Sequence, residues 1–245
     1  MTAGTGTLTG RAAYAALFTV TLAAGIPVAA ALSAETAQTD PVSLYGDEIL
    51  FDVYRKNRNI GVHRTRFTST GNGVRVETVF DIAIPIPIFP DFTYTYTSSG
   101  YWEEGLLQNL RVTVNDNGEE VSYRATRQDD SMRIRTPDGD SLADYPLYPT
   151  NHWNAHVVSS TEVLNTLTGR INKVAIVPQG QEYVETEQGP VLATRYAYTG
   201  QLETLVWYDA EGRWVKLQFA GRDGVVINYV CRRCQGPAAM EQKTS

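Results

Sequence analysis

Reactive side chains are scarce in this sequence. Its 245 residues include two Cys, three His and three Met, and the motifs that turn such residues into catalysts are missing. There is no Gly-x-Ser-x-Gly, no Ser-x-x-Lys and no His-Glu-x-x-His, which excludes the hydrolases built on those nucleophile and zinc arrangements. Positive charge is also short. Against 27 Asp+Glu stand 21 Lys+Arg, a net charge of −6, and beyond Arg232-Arg233 no basic cluster offers nucleic acid an electrostatic footprint. The glycines of the opening GTGTLTG have neither a preceding strand nor a Lys, so they do not form a phosphate loop.

Two compositions are present. In residues 1–34 the one charged side chain is Arg11, and the run from Ala12 to Leu32 is apolar or small. This is the layout of a secretory signal peptide, with small residues for cleavage at Ala29-Ala30-Ala31 or Ala31-Leu32-Ser33, and it places the mature chain in the periplasm or outside the cell. A retained anchor is the alternative, because the run approaches the roughly 20 residues a spanning helix needs. No Cys lies near the cleavage region, which argues against a lipid anchor. Residues 35–46 are polar, with Pro41 and Gly46, and read as a flexible lead. Residues 47–231 are expected to form a single β domain, and 232–245 a disordered tail.

The clearest pattern in that domain is Gln201–Val230, which reads as three antiparallel strands broken at Asp209–Gly212 and Arg222–Gly224. One face of its middle strand would carry Trp214, Lys216 and Gln218, the other Val215, Leu217 and Phe219. Earlier strands are expected at Glu48–Lys56, Ile60–Ser69, Val74–Ile84, Phe92–Thr97, Leu106–Asn115, Glu119–Arg127 and Met132–Thr136. Pro137–Asp140 should end that sheet, and Tyr145–Pro149 should be an extended crossover. Asn151–Thr168 has helical character, with Ser159 or Ser160 as cap, Val163, Leu164 and Leu167 as a stripe, and Gly169 as terminator. Further strands fall at Ile171–Pro178, Gln181–Glu187 and Val191–Thr199. The fold class is mainly β: a large curved antiparallel sheet of about twelve strands, closed into a half-barrel or open barrel, with a short helical insert.

Four short motifs carry a resemblance. Phe51–His63, with its basic turn and Ile60-Gly61-Val62-His63, then Trp102-Glu103-Glu104-Gly105-Leu106-Leu107, then Leu164-Asn165-Thr166-Leu167-Thr168-Gly169, and Gly200-Gln201-Leu202 leading to Trp207-Tyr208-Asp209 resemble the exported bacterial family of domains of unknown function numbered 6134. The resemblance spans residues 47–230. It brings no catalytic residues. It implies a half-barrel like that of LolA and LolB, a curved sheet around an apolar hollow, and lipid or lipoprotein handling by analogy of fold.

The residues supply candidates for such a hollow. In Ile82–Pro90 the prolines at 85 and 87 withhold N–H groups, so the segment is an edge, a kink or a rim. Its bland reading is an edge strand packed through isoleucine. Its functional reading is an apolar lip formed by Ile84, Ile86, Ile88 and Phe89. Phe92, Tyr94 and Tyr96 share one strand face, continued by Trp102. Such stripes belong to a core, or to a stacking wall whose tyrosine hydroxyls orient an apolar or sugar-like ligand. Trp207 is placed with them. His63 reads as a hydrogen-bonded wall residue.

Cys231 and Cys234 should form a local disulfide across a turn, since exported thiols oxidise. A Cys₂His₂ metal set with His152 and His156 is the alternative their spacings allow. The acidic pairs Glu103-Glu104 and Asp129-Asp130 adjoin turns, where solvated acids are expected. The function expected is binding of a lipid-like or hydrophobic small molecule without chemistry, cofactor or metal. The competing reading is a structural or assembly factor of the cell envelope acting through protein contacts, and a weaker third is an enzyme on envelope glycans.

Overall fold

A computed structural model describes residues 40–236. The signal peptide expected at 1–34, residues 35–39 of the lead and residues 237–245 of the tail lie outside the described residues. The chain forms β1 Glu48–Arg55, β2 Arg58–Thr70, β3 Gly73–Ile84, β4 Phe92–Glu103, β5 Leu106–Asp116, β6 Glu119–Gln128, β7 Ser131–Thr136 and β8 Gly139–Asp144. After a crossover come β9 Tyr148–Pro149, β10 Glu162–Asn165, β11 Arg170–Thr186, β12 Gly189–Gly200, β13 Thr204–Asp209, β14 Trp214–Ala220 and β15 Val226–Arg233. All belong to one sheet of 15 strands, in the order β8 to β1, then β15 down to β9.

Turn chemistry sets the hairpins. Lys56 and Asn57 join β1 to β2 with φ of 49° and 60°, and Asn117 and Gly118 join β5 to β6 with φ of 53° and 100°. Positive φ at both central residues belongs to the turn whose twist matches that of paired strands. The closure of the sheet follows from its order. β8 and β9 are its opposite edges, yet only Tyr145, Pro146 and Leu147 separate them in sequence. A fully extended link of that length spans at most about 14 Å, so the edges must curl round until they nearly meet. Side chains tie the gap: the Tyr123 hydroxyl on β6 donates to the Thr166 carbonyl just after β10, at 2.7 Å.

Period-2 alternation then fills the interior. Phe51, His63, Phe80, Tyr96 and Val114 lie side by side across β1 to β5. Val53, Tyr229, Leu217, Val206 and Tyr196 continue across β15 to β12. These are the large inward side chains of the core.

Several expectations are corrected. The lead is ordered from residue 40: Asp40 caps helix α1, Pro41–Tyr45, by accepting from the Val42 and Ser43 N–H groups. Tyr45 is fully buried, donating its hydroxyl proton to the Trp153 carbonyl and accepting from the Trp214 N–H, both at 2.8 Å. That pair of bonds stitches the start of the domain to its centre. Residues 232–236 also belong to the fold. β15 runs to Arg233, and the Glu187 carboxylate accepts the N–H groups of Cys234 and Gln235, each at 2.9 Å.

The helix expected over Asn151–Thr168 is instead a 3₁₀ turn, Ala155–Ser159, followed by β10. Val163, Leu164 and Leu167 mimic a helical stripe, but the hydrogen bonds of β10 go to β11 and β9. Pro137-Asp138 does not end a sheet; it is the turn into β8. Ser98-Ser99-Gly100 stays within β4, whose irregularity falls at Tyr101/Trp102. The pieces on either side of Pro178–Gln181 are one strand, β11, with a bulge between them.

That bulge has a structural use. The distal part of β11 folds with β12 over the outward face of β13 to β15, where Glu182 meets Trp207 and Lys216 and the tip residue Glu187 meets the C-terminal segment. Cys231 and Cys234 form a disulfide beneath that tip. A loop this short constrains the unfolded chain little, so replacing both with Ser should lower the unfolding free energy by no more than about 2 kcal/mol. Urea denaturation of the double variant checks this. A much larger loss would mean that the pair holds the hairpin arm in place.

Candidate functional site

A cavity of about 190 Å³ lies inside the barrel. His63, Phe80 and Tyr96 from β2, β3 and β4 form one wall, and Trp214, Leu217, Phe219 and Tyr229 from β14 and β15 the other. Thr150, Asn151, His152 and Thr166 reach it from the segments around β9 and β10, and exposed Leu167, Glu203 and Ala220 border it where it meets solvent. An apolar cavity of ~150 Å³ is enough to take up benzene. This hollow therefore has room for one small ring.

Trp214 enters the wall through a bulge. Trp207 pairs with Lys216 but Tyr208 pairs with Trp214, so Val215 is the extra residue. The bulge turns Trp214 to the side of Leu217 and Phe219, against the alternation its sequence suggests. Its ring then packs on Phe51, with centroids 4.4 Å apart, and takes His63 edge-on at 5.2 Å.

Two neutral imidazoles sit against that indole. The Nε2 of His63 lies 3.4 Å from the Thr65 hydroxyl, which in turn is 3.0 Å from the Thr78 hydroxyl, while its Nδ1 has no partner among the described residues. Burial, with His152 as a like-charged neighbour, pushes its pKa down to about 3. His152 adopts φ 59°, held by the Tyr208 hydroxyl, which donates to its carbonyl at 2.8 Å. Its ring packs 5.7 Å from both Tyr198 and Trp214. The Nδ1 of His152 also lacks a partner, and burial pushes this pKa down to about 3 as well.

Tyr96, on the facing wall, is 2% exposed and its hydroxyl has no hydrogen-bond partner. Burial pushes its pKa up to about 12; the Ser98 and Thr166 side chains oppose this in part, yet neither closes a bond to the hydroxyl. A buried polar atom left unpaired costs about 1–3 kcal/mol.

The expected site residues divide into four groups. Tyr96 lines the cavity. Ile84, Phe92 and Tyr94 are partly buried at the end of β3 and the start of β4, where Tyr94 is pushed up to about 12 by burial and then by the Asp116 carboxylate. Ile86, Ile88 and Phe89 stand on the loop between those strands, 41%, 98% and 66% exposed. This segment is the rim of two interior strands of the sheet, not an edge strand. The same end of the barrel carries Ala220 and the β14–β15 turn, whose Arg222 pairs with Asp116 at the end of β5 across the opening.

Trp102 and Trp207 are corrections. Trp102 is buried six residues along β4 from Tyr96, about 20 Å at the rise of a strand, and packs edge-on against Trp153 at 4.7 Å. Trp207 faces the opposite side from Val206 and Leu217, beneath the β11–β12 arm. There its Nε1 donates to Glu182 at 2.6 Å and Lys216 lies 4.4 Å above its ring. The sequence reading did not place Phe80, Trp214, Leu217, Phe219 and Tyr229 in the site. Their signal is the period-2 pattern of β3 and of the meander, except for Trp214, which the bulge hides.

The Cys₂His₂ alternative is not assembled. Cys231 and Cys234 are bonded to each other beside Glu187, His152 faces the cavity, and His156 stacks on Tyr148. Glu103 accepts from the Tyr101 hydroxyl at a strand end and Glu104 occupies a turn. The cavity wall holds no Asp, Lys, Arg, Ser or Cys, and its one carboxylate, Glu203, stands at the solvent border. A larger concavity of about 500 Å³ follows the outer face of β2 to β5. Its Arg64 and Arg66 are both engaged by Glu48, and it lies open on that face, lined by Val62, Val79 and Val112 among Arg, Thr and Ser residues and Glu77.

A family described as a domain of unknown function, DUF6134, matches residues 51–232. No curated protein matches the chain. Among solved structures, the chain is similar to the beta-barrel-like protein of domain of unknown function DUF1849 from Brucella abortus, with a TM-score of 0.58 and 10% sequence identity over 78% of this chain and 98% of that one. At that identity the likeness shows a shared barrel-like fold.

Proposed function

This chain belongs to the DUF6134 family, and we propose that it is a non-enzymatic binding protein that holds an apolar small molecule in its barrel. The observation that carries the reading is the half-open, largely aromatic hollow, with walls of Phe80, Trp214, Leu217, Phe219 and Tyr229. Pockets of this kind, mostly apolar with a few placed polar groups, are the usual binding sites of small ligands. Among the described residues the wall carries no Ser, Cys or Lys, and burial holds its histidines neutral. That composition suits binding better than acid–base work.

Any part of a larger molecule, such as the rest of a lipid, would extend past Leu167 and Ala220 towards the exposed Ile88 and Phe89. The apolar run at residues 12–32 supports export, and a disulfide-bonded domain suits the periplasm or the outside of the cell. The competing reading, an envelope assembly factor, is favoured by one feature, the near-complete exposure of Ile88 beside Phe89.

Native mass spectrometry of protein purified from its own envelope tests the choice. An apolar molecule should accompany the protein and leave on denaturation. A Leu217→Trp variant, which fills the hollow from its wall, should purify without it and keep the same circular dichroism. Protein that emerges empty from the envelope and takes up no small aromatic probe would move the function to protein contacts.

A further inference from the structure

The connection between β3 and β4 is unlike the turns beside it. The strand order brings it to the same end of the barrel as the β1–β2, β5–β6 and β14–β15 turns. Those are built from Lys56-Asn57, Asn117-Gly118 and Arg222-Asp223-Gly224, the polar residues that turns ordinarily use. Ile82–Pro90 instead carries no charged or hydrogen-bonding side chain. Ile86, Ile88 and Phe89 stand 41%, 98% and 66% exposed, on a base of partly buried Ile84 and Phe92. Ile88 also holds a left-handed φ of 63°, a conformation that a β-branched residue rarely adopts and that collects at functional positions. Neither the strain nor the exposure serves the stability of the fold.

The area and the backbone of this lip show what covers it. The three side chains present about as much surface as two fully exposed ones, at most ~500 Å² on the scale of an aromatic residue. A stable protein interface takes about 800 Å² from each partner. A lipid surface sets no such threshold, because an apolar segment binds it in proportion to the area it buries. Pro85, Pro87 and Pro90 have no N–H, and the Phe89 N–H donates to the Ile86 carbonyl at 3.2 Å, so Ile86 and Ile88 alone bring further donors. A protein partner could bond the missing donors, whereas acyl chains could not, and their removal suits lipid. Charges beside the lip have both signs, with Lys56 and Arg58 on one side and Asp91 and Glu119 on the other.

We propose that this lip docks the barrel on a lipid bilayer, with Ile88 and Phe89 at the boundary of headgroups and acyl chains and the backbone still within the headgroup layer. Apolar contact drives the docking, and the mixed charges make an anionic surface unnecessary. The end that carries Leu167 and Ala220, the solvent border of the hollow, then faces the lipid. The proposal goes beyond the binding reading, since the lip can dock whether or not the hollow is filled.

A nitrobenzoxadiazole label reads this position by position. Ile88→Cys carries it on the lip and Asn72→Cys in the β2–β3 turn at the opposite end, and the native cysteines, bonded to each other, take none. With phosphatidylcholine vesicles the label at position 88 should brighten at least about three-fold and shift to the blue, while the label at position 72 stays unchanged. Raising salt from about 0.1 M to about 0.5 M should leave that signal within about two-fold, because screening weakens charge contacts and not apolar ones. In cosedimentation with the same vesicles, Phe89→Asp should bind at least about ten-fold more weakly than the wild type. Its melting temperature should stay the same, since the side chain is exposed. No brightening at position 88, equal brightening at position 72, or wild-type binding by Phe89→Asp would overturn the proposal. Brightening at position 88 that grew with protein concentration without vesicles would give the lip to a second copy of the chain and overturn it as well. Uptake of a small aromatic probe by the hollow is measured without lipid, so failure of the carrier reading stays distinct from failure of the docking.

Discussion

Between pH 7 and pH 5 the folded protein is expected to lose about 4 kcal/mol of stability through His63 and His152 alone. Both pKa values are pushed down to about 3 in the fold, against about 6.5 in the unfolded chain. Well above pH 6.5 neither state is protonated and nothing is lost. As pH falls through 6.5 the unfolded chain takes up two protons that the native state refuses, so the unfolded state gains at about 2.7 kcal/mol per pH unit for the pair until the native imidazoles titrate near pH 3. Urea unfolding at pH 7 and pH 5 reads this as a fall in midpoint without a change in slope. The double variant His63→Phe with His152→Asn, where Asn tolerates the left-handed backbone, should flatten the dependence. A wild-type midpoint that did not move over this range would show the imidazoles to be solvated.

Gly61→Ala should be still more damaging for its size. Gly61 sits in the Ile60-Gly61-Val62-His63 motif, where β3 passes so close that an added methyl would run into the Asp81 carbonyl and the Cα of Ile82. Neither is a flexible side chain that could swing aside. Relief requires β2 and β3 to separate beside the cavity wall, at a cost of more than about 3 kcal/mol, above the usual range for overpacking. Gly71→Ala, in the next turn, meets nothing within 4 Å and should lose only the modest amount that positive φ imposes. Thermal melts of the two variants make the comparison, and near-identical melting temperatures would refute the close approach.

This glycine also shows how far the sequence could be read. The hairpins of β1 to β3, β5 to β6 and the C-terminal meander were visible because their turns need special backbone conformations, and Asn117-Gly118 or Lys56-Asn57 announces those locally. The aromatic face of β4 was visible for the same kind of reason, since alternation is a local rule. Other features depend on what lies across the sheet. Asn151–Thr168 has apolar residues at a spacing that suits a helix, but β11 and β9 supply strand partners to Glu162–Asn165, and those partners outweigh propensity. Trp214 leaves the face its alternation suggests because of one extra residue, Val215, opposite the Trp207–Tyr208 step, whereas Trp207 keeps the face opposite Val206. A bulge leaves no mark on composition. His152 was noticed for its spacing from His156, a helical argument. Its real position follows from a turn conformation and a hydrogen bond from Tyr208, 56 residues away.

The order of the strands carries a consequence for how the molecule assembles. Read from β9 up to β15 and then from β1 to β8, every neighbour in the sheet is also a neighbour in sequence, except across the β15–β1 seam. Apart from the parallel β9–β10 pair, the architecture is thus a circularly permuted meander, opened between its central strands and joined at its rims by residues 145–147. Each half of the chain zips from local hairpins with little loop entropy to overcome. One pairing is of another kind: β1 with β15, where Asp52 and Arg232 meet across 180 residues. The long-range entropy of this topology is concentrated in that single seam, the feature that slows folding when contacts are distant. The wall of the hollow spans the seam, with His63, Phe80 and Tyr96 on one side and Trp214, Leu217, Phe219 and Tyr229 on the other. The binding site therefore comes into existence only when the two halves of the chain have found each other.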